Sequence, residues 1–206
     1  VIVVFNTGSI MQMDFLEDPA FGNIGAALNV GYMGQSGATA IPKILTGEVN
    51  PSGRLADTIL YNPTKDEITR INCKNGDTDI VYAEDIYVGY KWFETASAEG
   101  YLNYDDVVQY PFGFGLDYSD FSWKVSSFEV KNLDSNSEYV TDPSNKLERD
   151  SKISLSVEVT NNSDMPGKDV VELYYHAPYY DGGIEKSEIN LLDFAKTPIL
   201  KKGESY

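Results

Sequence analysis

"QYPFGFGLDYSDF", residues 109–121, decides how the chain is divided. It sets five aromatic rings around Pro111, Gly113 and Gly115. Proline fixes φ and glycine frees it, so such a stretch shapes a connection and does not continue a strand or helix. The residue code differs on its two sides. Before it, apolar runs alternate with glycine-rich and helix-like pieces; after it, the pattern is that of strands. The expectation is an α/β region over 1–118 and an all-β region over 119–206. Phe112, Phe114 and Tyr118 are expected to pack where the two meet.

The second region is the plainer. "KISLSVEVTNNSD" (152–164) alternates, with Ile153, Leu155, Val157 and Val159 on one face and Ser154, Ser156 and Glu158 on the other. A period of two is that of a half-buried antiparallel strand. "KDVVELYYHAP" (168–178) is expected to pair with it across the turn signal "NNSDMPG". In "FSWKVSSFEVKNL" (121–133), Trp123 and Val125 are out of phase with Phe128 and Val130, which predicts a bulge near Ser126 and Ser127. Strands at this spacing predict a β-sandwich. "ILKKGESY" (199–206) reads as a turn with no strand after it, so the sandwich is expected to be incomplete.

In the first region, "VIVVF" (1–5) is a continuous β-branched run, the pattern of a strand in a parallel sheet. "LNVGYM" (28–33) is a second candidate strand. The following "GQSGATAIPKILTGE" predicts a short helix capped by Ser36 or Thr39, burying Ile41, Ile44 and Leu45. Pro42 fits the first turn of a helix begun at Thr39 but breaks one begun at Ser36. "NPSGR" (50–54) is a turn signal in which Gly53 is free to take positive φ. "LADTIL" (55–60) reads as extended and residues 62–83 as a polar surface excursion. "DIYVGYKWFET" (85–95), rich in Tyr, Val, Trp and Phe, predicts a buried strand with a bulge at Gly89.

Composition removes several functions. The 206 residues carry 32 acidic and 16 basic side chains, a formal net charge of −16. A surface of that sign repels phosphate backbones and anionic lipid, so a nucleic-acid partner is not expected. No apolar run approaches the roughly 20 residues that span a bilayer, so no membrane partner is expected either. Cys73 and His176 are each the single residue of their type. One Cys and one His give no metal knuckle and no nucleophilic pair, and neither a metal nor a cofactor is expected.

"GYMGQSG" (31–37) lies between a candidate strand and a candidate helix, as a phosphate-binding turn does. Its spacing is GxxGxxG, with no GK[ST] after it, and tight backbone packing accounts for the glycines. Asp14, Glu17, Asp18, Glu84, Asp85 and Glu94 are among many carboxylates, and no spacing singles out a catalytic pair. Phe21, Tyr32 and Trp92 are the aromatic side chains whose rings can stack on a sugar, with buried packing the commoner use of such residues.

Several stretches taken in order carry a resemblance. "VIVVFNTGSIMQM", "NVGYMGQSGATAIPKILTGEVNPSGRLADT", "YAEDIYVGYKWFET" and "YPFGFGLDYSDFSW" are similar to the α/β sandwich of family 3 glycoside hydrolases, the β-glucosidase group. "SLSVEVTNNSDMPGKDVVELYYHAP" and "IEKSEINLLDFAKTPILKKGES" resemble the fibronectin type III-like domain of many of those enzymes. The resemblance implies an α/β partial sandwich over 1–118, then an incomplete fibronectin type III-like sandwich over 119–206, truncated at both ends. It implies a partner (β/α)₈ barrel outside this sequence, before or after it. It further implies hydrolysis of terminal non-reducing β-D-glucosyl residues with retention, by a nucleophilic Asp and an acid/base Glu that this chain lacks. Glu17 does not occupy the acid/base position. No catalytic residue is therefore expected in the chain, its substrate-binding residues remain unassigned, and the isolated chain is expected to be inactive. The alternative is a non-catalytic structural module, or one that binds carbohydrate or protein.

Overall fold

In the computed structural model, residues 1–64 and 82–206 are described. Most of the polar excursion read at 62–83, and Cys73 with it, lies outside the described residues. The chain divides into two compact units. The first comprises 1–49, 53–116 and 172–194; the second comprises 50–52, 117–171 and 195–206.

The first unit begins with strand β1 (Ile2–Phe5), parallel to β2 (Ala26–Asn29) in the register Ile2 to Ala26 through Phe5 to Asn29. The parallel pairing follows the β-branched reading. The second strand ends at Asn29, so Val30–Met33 of the predicted run are not strand. Gly31 and Gly34 both take positive φ, 56° and 63°, and turn the chain there. Two short helices follow, α1 (Gly34–Gly37) and α2 (Ala40–Leu45). Thr39 stands at the N-cap position of α2, which places Pro42 in the first turn, where proline is tolerated. The Thr39 hydroxyl does not cap the helix; it donates to Ser36 O at 2.8 Å. Ile41 and Ile44 are half-buried and Leu45 is exposed, so the expected buried face is only partly covered.

The segment 85–95 corrects the prediction of a strand. Gly89, at φ 60° and ψ −130°, precedes helix α3 (Tyr90–Ala98), which buries Phe93 and Ala96 three residues apart. An aromatic run has high strand propensity, but propensity is a weak prior and burial at helical spacing overrides it here. Phe93 joins Leu60 and Val108 in a core cluster, flanked by Trp92, Leu102, Tyr104 and Val107. The single turn α4 (Tyr104–Val107) leads directly into strand β4 (Val108–Tyr110), which pairs antiparallel with β3 (Ile59–Leu60). Phe5, Met13 and Ile59 form the other cluster of the unit.

The second unit is built on β5 (Phe121–Leu133), flanked by β6 (Tyr139–Thr141) and β7 (Lys152–Asn161) in the order β6-β5-β7, all antiparallel. The register shifts between Val125 and Ser127, where the phase of the sequence breaks. Ser126 is the extra residue, and its hydroxyl donates to Ser156 O at 3.1 Å. Val130 and Val159 are the fully buried apolar centre. One expectation fails: β7 pairs with β5, whereas β8 (Val170–Tyr175) pairs with β9 (Asn190–Lys196) and not with β7. The C-terminal residues form no strand, and isolated backbone bonds tie them to β7: Val159 and Tyr206 exchange N–H···O bonds at 2.9 and 3.0 Å, and Asn161 N donates to Glu204 O at 3.1 Å.

"NPSGR" is likewise not a glycine turn, since Gly53 does not use positive φ. Its Asn50 instead ties down backbone. Asn50 Nδ2 donates to Ser119 Oγ at 2.6 Å and Pro166 O at 3.1 Å, and Asn50 Oδ1 accepts from Tyr118 N at 2.8 Å.

Candidate functional site

The aromatic glycine loop is held by two backbone bonds within the first unit. Gly113 N donates to Leu55 O, and Leu55 N donates to Phe114 O, each at 2.8 Å. This fixes Phe112 over Tyr90, with ring centroids 4.7 Å apart, and Phe114 against Tyr110 at 5.0 Å. Tyr174 meets the edge of Tyr90 at 6.1 Å and 83°. Such edge and tilted contacts suit the ring quadrupoles and contribute about 0.5–1.5 kcal/mol each beyond burial. The rings enclose an open cavity of about 340 Å³ whose lining includes Tyr90, Glu94, Phe112, Glu172, Tyr174 and Ile189.

The Tyr174 hydroxyl donates to Glu172 Oε2 at 2.6 Å. Burial, and then the Glu172 carboxylate, push the Tyr174 hydroxyl well above its ordinary range, so it stays protonated and a donor. Tyr90 Oη accepts from Leu191 N at 2.8 Å. The cavity thus offers apolar ring faces with carboxylate acceptors at its edge, which suits a polyol more than an anion.

A second polar cluster surrounds Glu17. Tyr61 Oη donates to Glu17 Oε2 at 2.9 Å, and Gln109 Nε2 donates to Glu17 Oε1 at 3.1 Å and to Met13 O at 3.0 Å. The hydrogen bond to Glu17 is the main cause that raises the Tyr61 hydroxyl. Among the described residues, Gln109 Oε1 is buried without a hydrogen-bond partner.

The other residues singled out in the sequence have local roles. Asp18 Oδ1 accepts from Ala20 N at 2.8 Å and caps a 3₁₀ turn at Pro19–Phe21. Asp14 accepts from Phe15 N and from Gln12 Nε2. Phe21 packs edge-on against Phe15, while Tyr32 lies over Gly8 and is 85% exposed. Trp92 packs edge-on to Tyr87 at 6.3 Å. Glu94 is the one named carboxylate that lines the aromatic cavity. Glu172 and Tyr174 were not singled out. Their signal was a charge inside the apolar run "VVELYY", which is costly there unless it is hydrogen-bonded. Among the described residues, no group of three or more His, Cys, Asp or Glu side chains is arranged to hold a metal ion. No described helix is long and apolar enough to cross a membrane.

Comparison with known proteins gives these features a family. Residues 1–90 match the glycosyl hydrolase family 3 C-terminal domain. β-Glucosidase A of Butyrivibrio fibrisolvens is 36% identical along 100% of the chain, which spans 23% of that enzyme. The chain belongs to glycosyl hydrolase family 3. A β-glucosidase of Ruminococcus albus is 33% identical over 99% of this family 3 chain, which spans 18% of that protein. Among solved structures, a β-glucosidase from Paenibacillus barengoltzii superposes on all of the chain with a TM-score of 0.80 at 35% identity, the match covering 20% of it. The chain therefore spans about a fifth of the length of the curated relatives it matches. Its fold, largely strands, accords with the C-terminal domain of the family.

Proposed function

We propose that this chain is the C-terminal part of a retaining β-glucosidase, which hydrolyses terminal non-reducing β-D-glucosyl residues with a nucleophile and acid/base outside residues 1–206. One observation carries the reading: likeness to β-glucosidases runs along the whole chain, while the chain spans only about a fifth of those enzymes. On this reading residues 1–118 are the C-terminal half of an α/β sandwich and 119–206 a fibronectin type III-like domain. A (β/α)₈ barrel elsewhere in the protein supplies the nucleophile.

Retaining hydrolysis needs two carboxyl groups about 5–5.5 Å apart, one of them held protonated near neutral pH. The nucleophile attacks the anomeric carbon as the acid protonates the leaving oxygen; water then releases the sugar with that acid acting as base.

The test is hydrolysis of a chromogenic β-D-glucoside by the full-length protein and by residues 1–206. Turnover by the full-length protein, faster on the glucoside than on the matching β-D-xyloside, and none by the isolated chain, is the expected result. Turnover by the isolated chain would overturn the placement of the catalytic groups. Absence of turnover by the full-length protein would favour a non-catalytic module.

A further inference from the structure

A second cleft of the first unit, about 290 Å³, is framed by Tyr87, Trp92, Tyr101, Tyr179, Glu185 and Glu188. This size is at the low end of small-molecule sites, ~300–1,000 Å³. Its walls are fixed by hydrogen bonds between helix α3, the segment before it and the loop before β9. Tyr87 Oη donates to Glu185 Oε2 at 2.6 Å. Glu188 N donates to Thr95 Oγ1 at 2.8 Å, and that hydroxyl donates to Lys91 O at 2.6 Å. His176 also lines the cleft, with Nδ1 2.8 and 3.2 Å from Glu188 O and Oε1. Lys186 Nζ is turned to its own loop, donating to Pro178 O at 2.7 Å.

Against this fixed frame, Tyr101 is 79% exposed and Tyr179 47% exposed. Large apolar rings left in water around a concave polar site mark binding surfaces. The lining matches one ligand chemistry. A pyranose has an apolar C–H face that lies on an aromatic ring and a rim of hydroxyls that donate to carboxylates. The lining carries three carboxylates, Glu99, Glu185 and Glu188, against Lys186 and His176, and this acidic excess disfavours anions. We infer that the cleft between helix α3 and the loop before β9 is a binding site for a neutral oligosaccharide, with Tyr101 and Tyr179 as its ring platforms and Glu185 and Glu188 as hydroxyl acceptors. Such a site holds a glucan chain without cleaving it. It goes beyond the hydrolytic reading and does not depend on it.

The test uses the full-length protein labelled with ¹⁵N-tryptophan and thio-linked cellotriose, which glycosidases do not cleave. The Trp92 indole peak is assigned by its loss in Trp92→Phe, and the Trp123 peak by its loss in Trp123→Phe. The expected result is a saturable shift of the Trp92 peak with no shift of Trp123. Tyr101→Ala/Tyr179→Ala weakens the shift at least about tenfold, through loss of two ring contacts. A dispersed Trp92 peak in the ligand-free double variant reports that the first unit is folded; if that peak is lost, Tyr101→Ala alone, on the more exposed ring, is read instead. A Trp92 peak that stays still, or that shifts unchanged in the folded variant, overturns the inference. An equal shift with an anionic oligogalacturonate overturns the assigned chemistry. Because the ligand is inert to cleavage, failure here says nothing about hydrolysis, and failure of hydrolysis leaves this readout intact.

Discussion

Glu172 lies against Gly113 where a β-carbon would stand: a methyl group built on Gly113 overlaps the Glu172 carboxylate. Gly113 also takes φ 81°, which side chains rarely adopt. Two costs therefore fall on Gly113→Ala, backbone strain of ~1–2 kcal/mol and displacement of Glu172 from the Tyr174 hydroxyl. The expected loss is about 2–3 kcal/mol in urea unfolding. In a Glu172→Ala background the Tyr174 hydrogen bond is already lost and Gly113→Ala adds only the strain, so the two substitutions are expected to be non-additive by about 1 kcal/mol. Strict additivity would show that the overlap is relieved at no cost.

Gly89 isolates the strain alone. It stands at φ 60° and ψ −130°, yet a β-carbon there meets nothing within 4 Å. Gly89→Ala is expected to lose about 1–3 kcal/mol purely through the backbone. D-Alanine at the same position, made by semisynthesis, tolerates positive φ and is expected to restore most of that. Equal destabilisation by both alanines would point to a lost contact.

Much of the second region could be read from its sequence because alternation there meets one half-buried sheet. The phase break at Ser126 became the observed bulge, and Ile153 to Val159 share the face of their partners on β5. What alternation does not carry is the choice of partner. β7 and β8 look like a hairpin across "NNSDMPG", but β7 joins β5, and the partner of β8 is β9. Segment 85–95 failed for another reason. Its rings fit a pleated surface as well as a helix, and only the burial of Phe93 and Ala96 distinguishes them. The site residues missed, Glu172 and Tyr174, lie far in sequence from the glycine loop they line, so no local pattern joins them.

Asn161 is completely buried and uses all its hydrogen-bonding capacity. Nδ2 donates to Met165 O and Leu200 O at 2.8 Å each, and Oδ1 accepts from Ser163 N at 2.9 Å and Ser163 Oγ at 2.8 Å. Asn161→Asp keeps the shape but aims a carboxylate oxygen at two carbonyls. It is expected to cost about 2–4 kcal/mol, more than a typical surface substitution, in denaturant unfolding followed by Trp123 fluorescence. A loss below about 0.5 kcal/mol would show that the network contributes little.

The hydrogen bond to Glu185 raises the Tyr87 hydroxyl from its ordinary 10.0 to about 12. A raised folded-state pKa favours the fold below pH 10, and that contribution disappears as pH rises through 12. In alkaline titration at 295 nm, Tyr87→Phe is expected to remove a component ionising near pH 12. In Glu185→Gln that component moves back toward the ordinary range.

The β5–β6 hairpin carries the opposite dependence. Asp134 Oδ1 accepts from Asn136 N at 2.8 Å and Glu138 N at 2.9 Å, and these bonds, that to Glu138 foremost, lower its pKa. The Ser144 hydroxyl at 2.6 Å and amide at 2.8 Å do the same for Asp142, whose Oδ2 also accepts from buried Asn132. A carboxyl lowered in the fold stabilises it above its unfolded pKa of ~3.9, and that stability is lost as pH falls through the folded value. Hydrogen exchange at Lys131–Leu133 and Tyr139–Thr141, corrected for intrinsic rates, is therefore expected to lose protection below about pH 4. Asp134→Asn/Asp142→Asn keeps an acceptor oxygen at each turn but has no proton to bind there. Its protection is expected to start lower and vary less with pH over that window; a profile parallel to the unsubstituted protein's would assign the acid sensitivity to other groups.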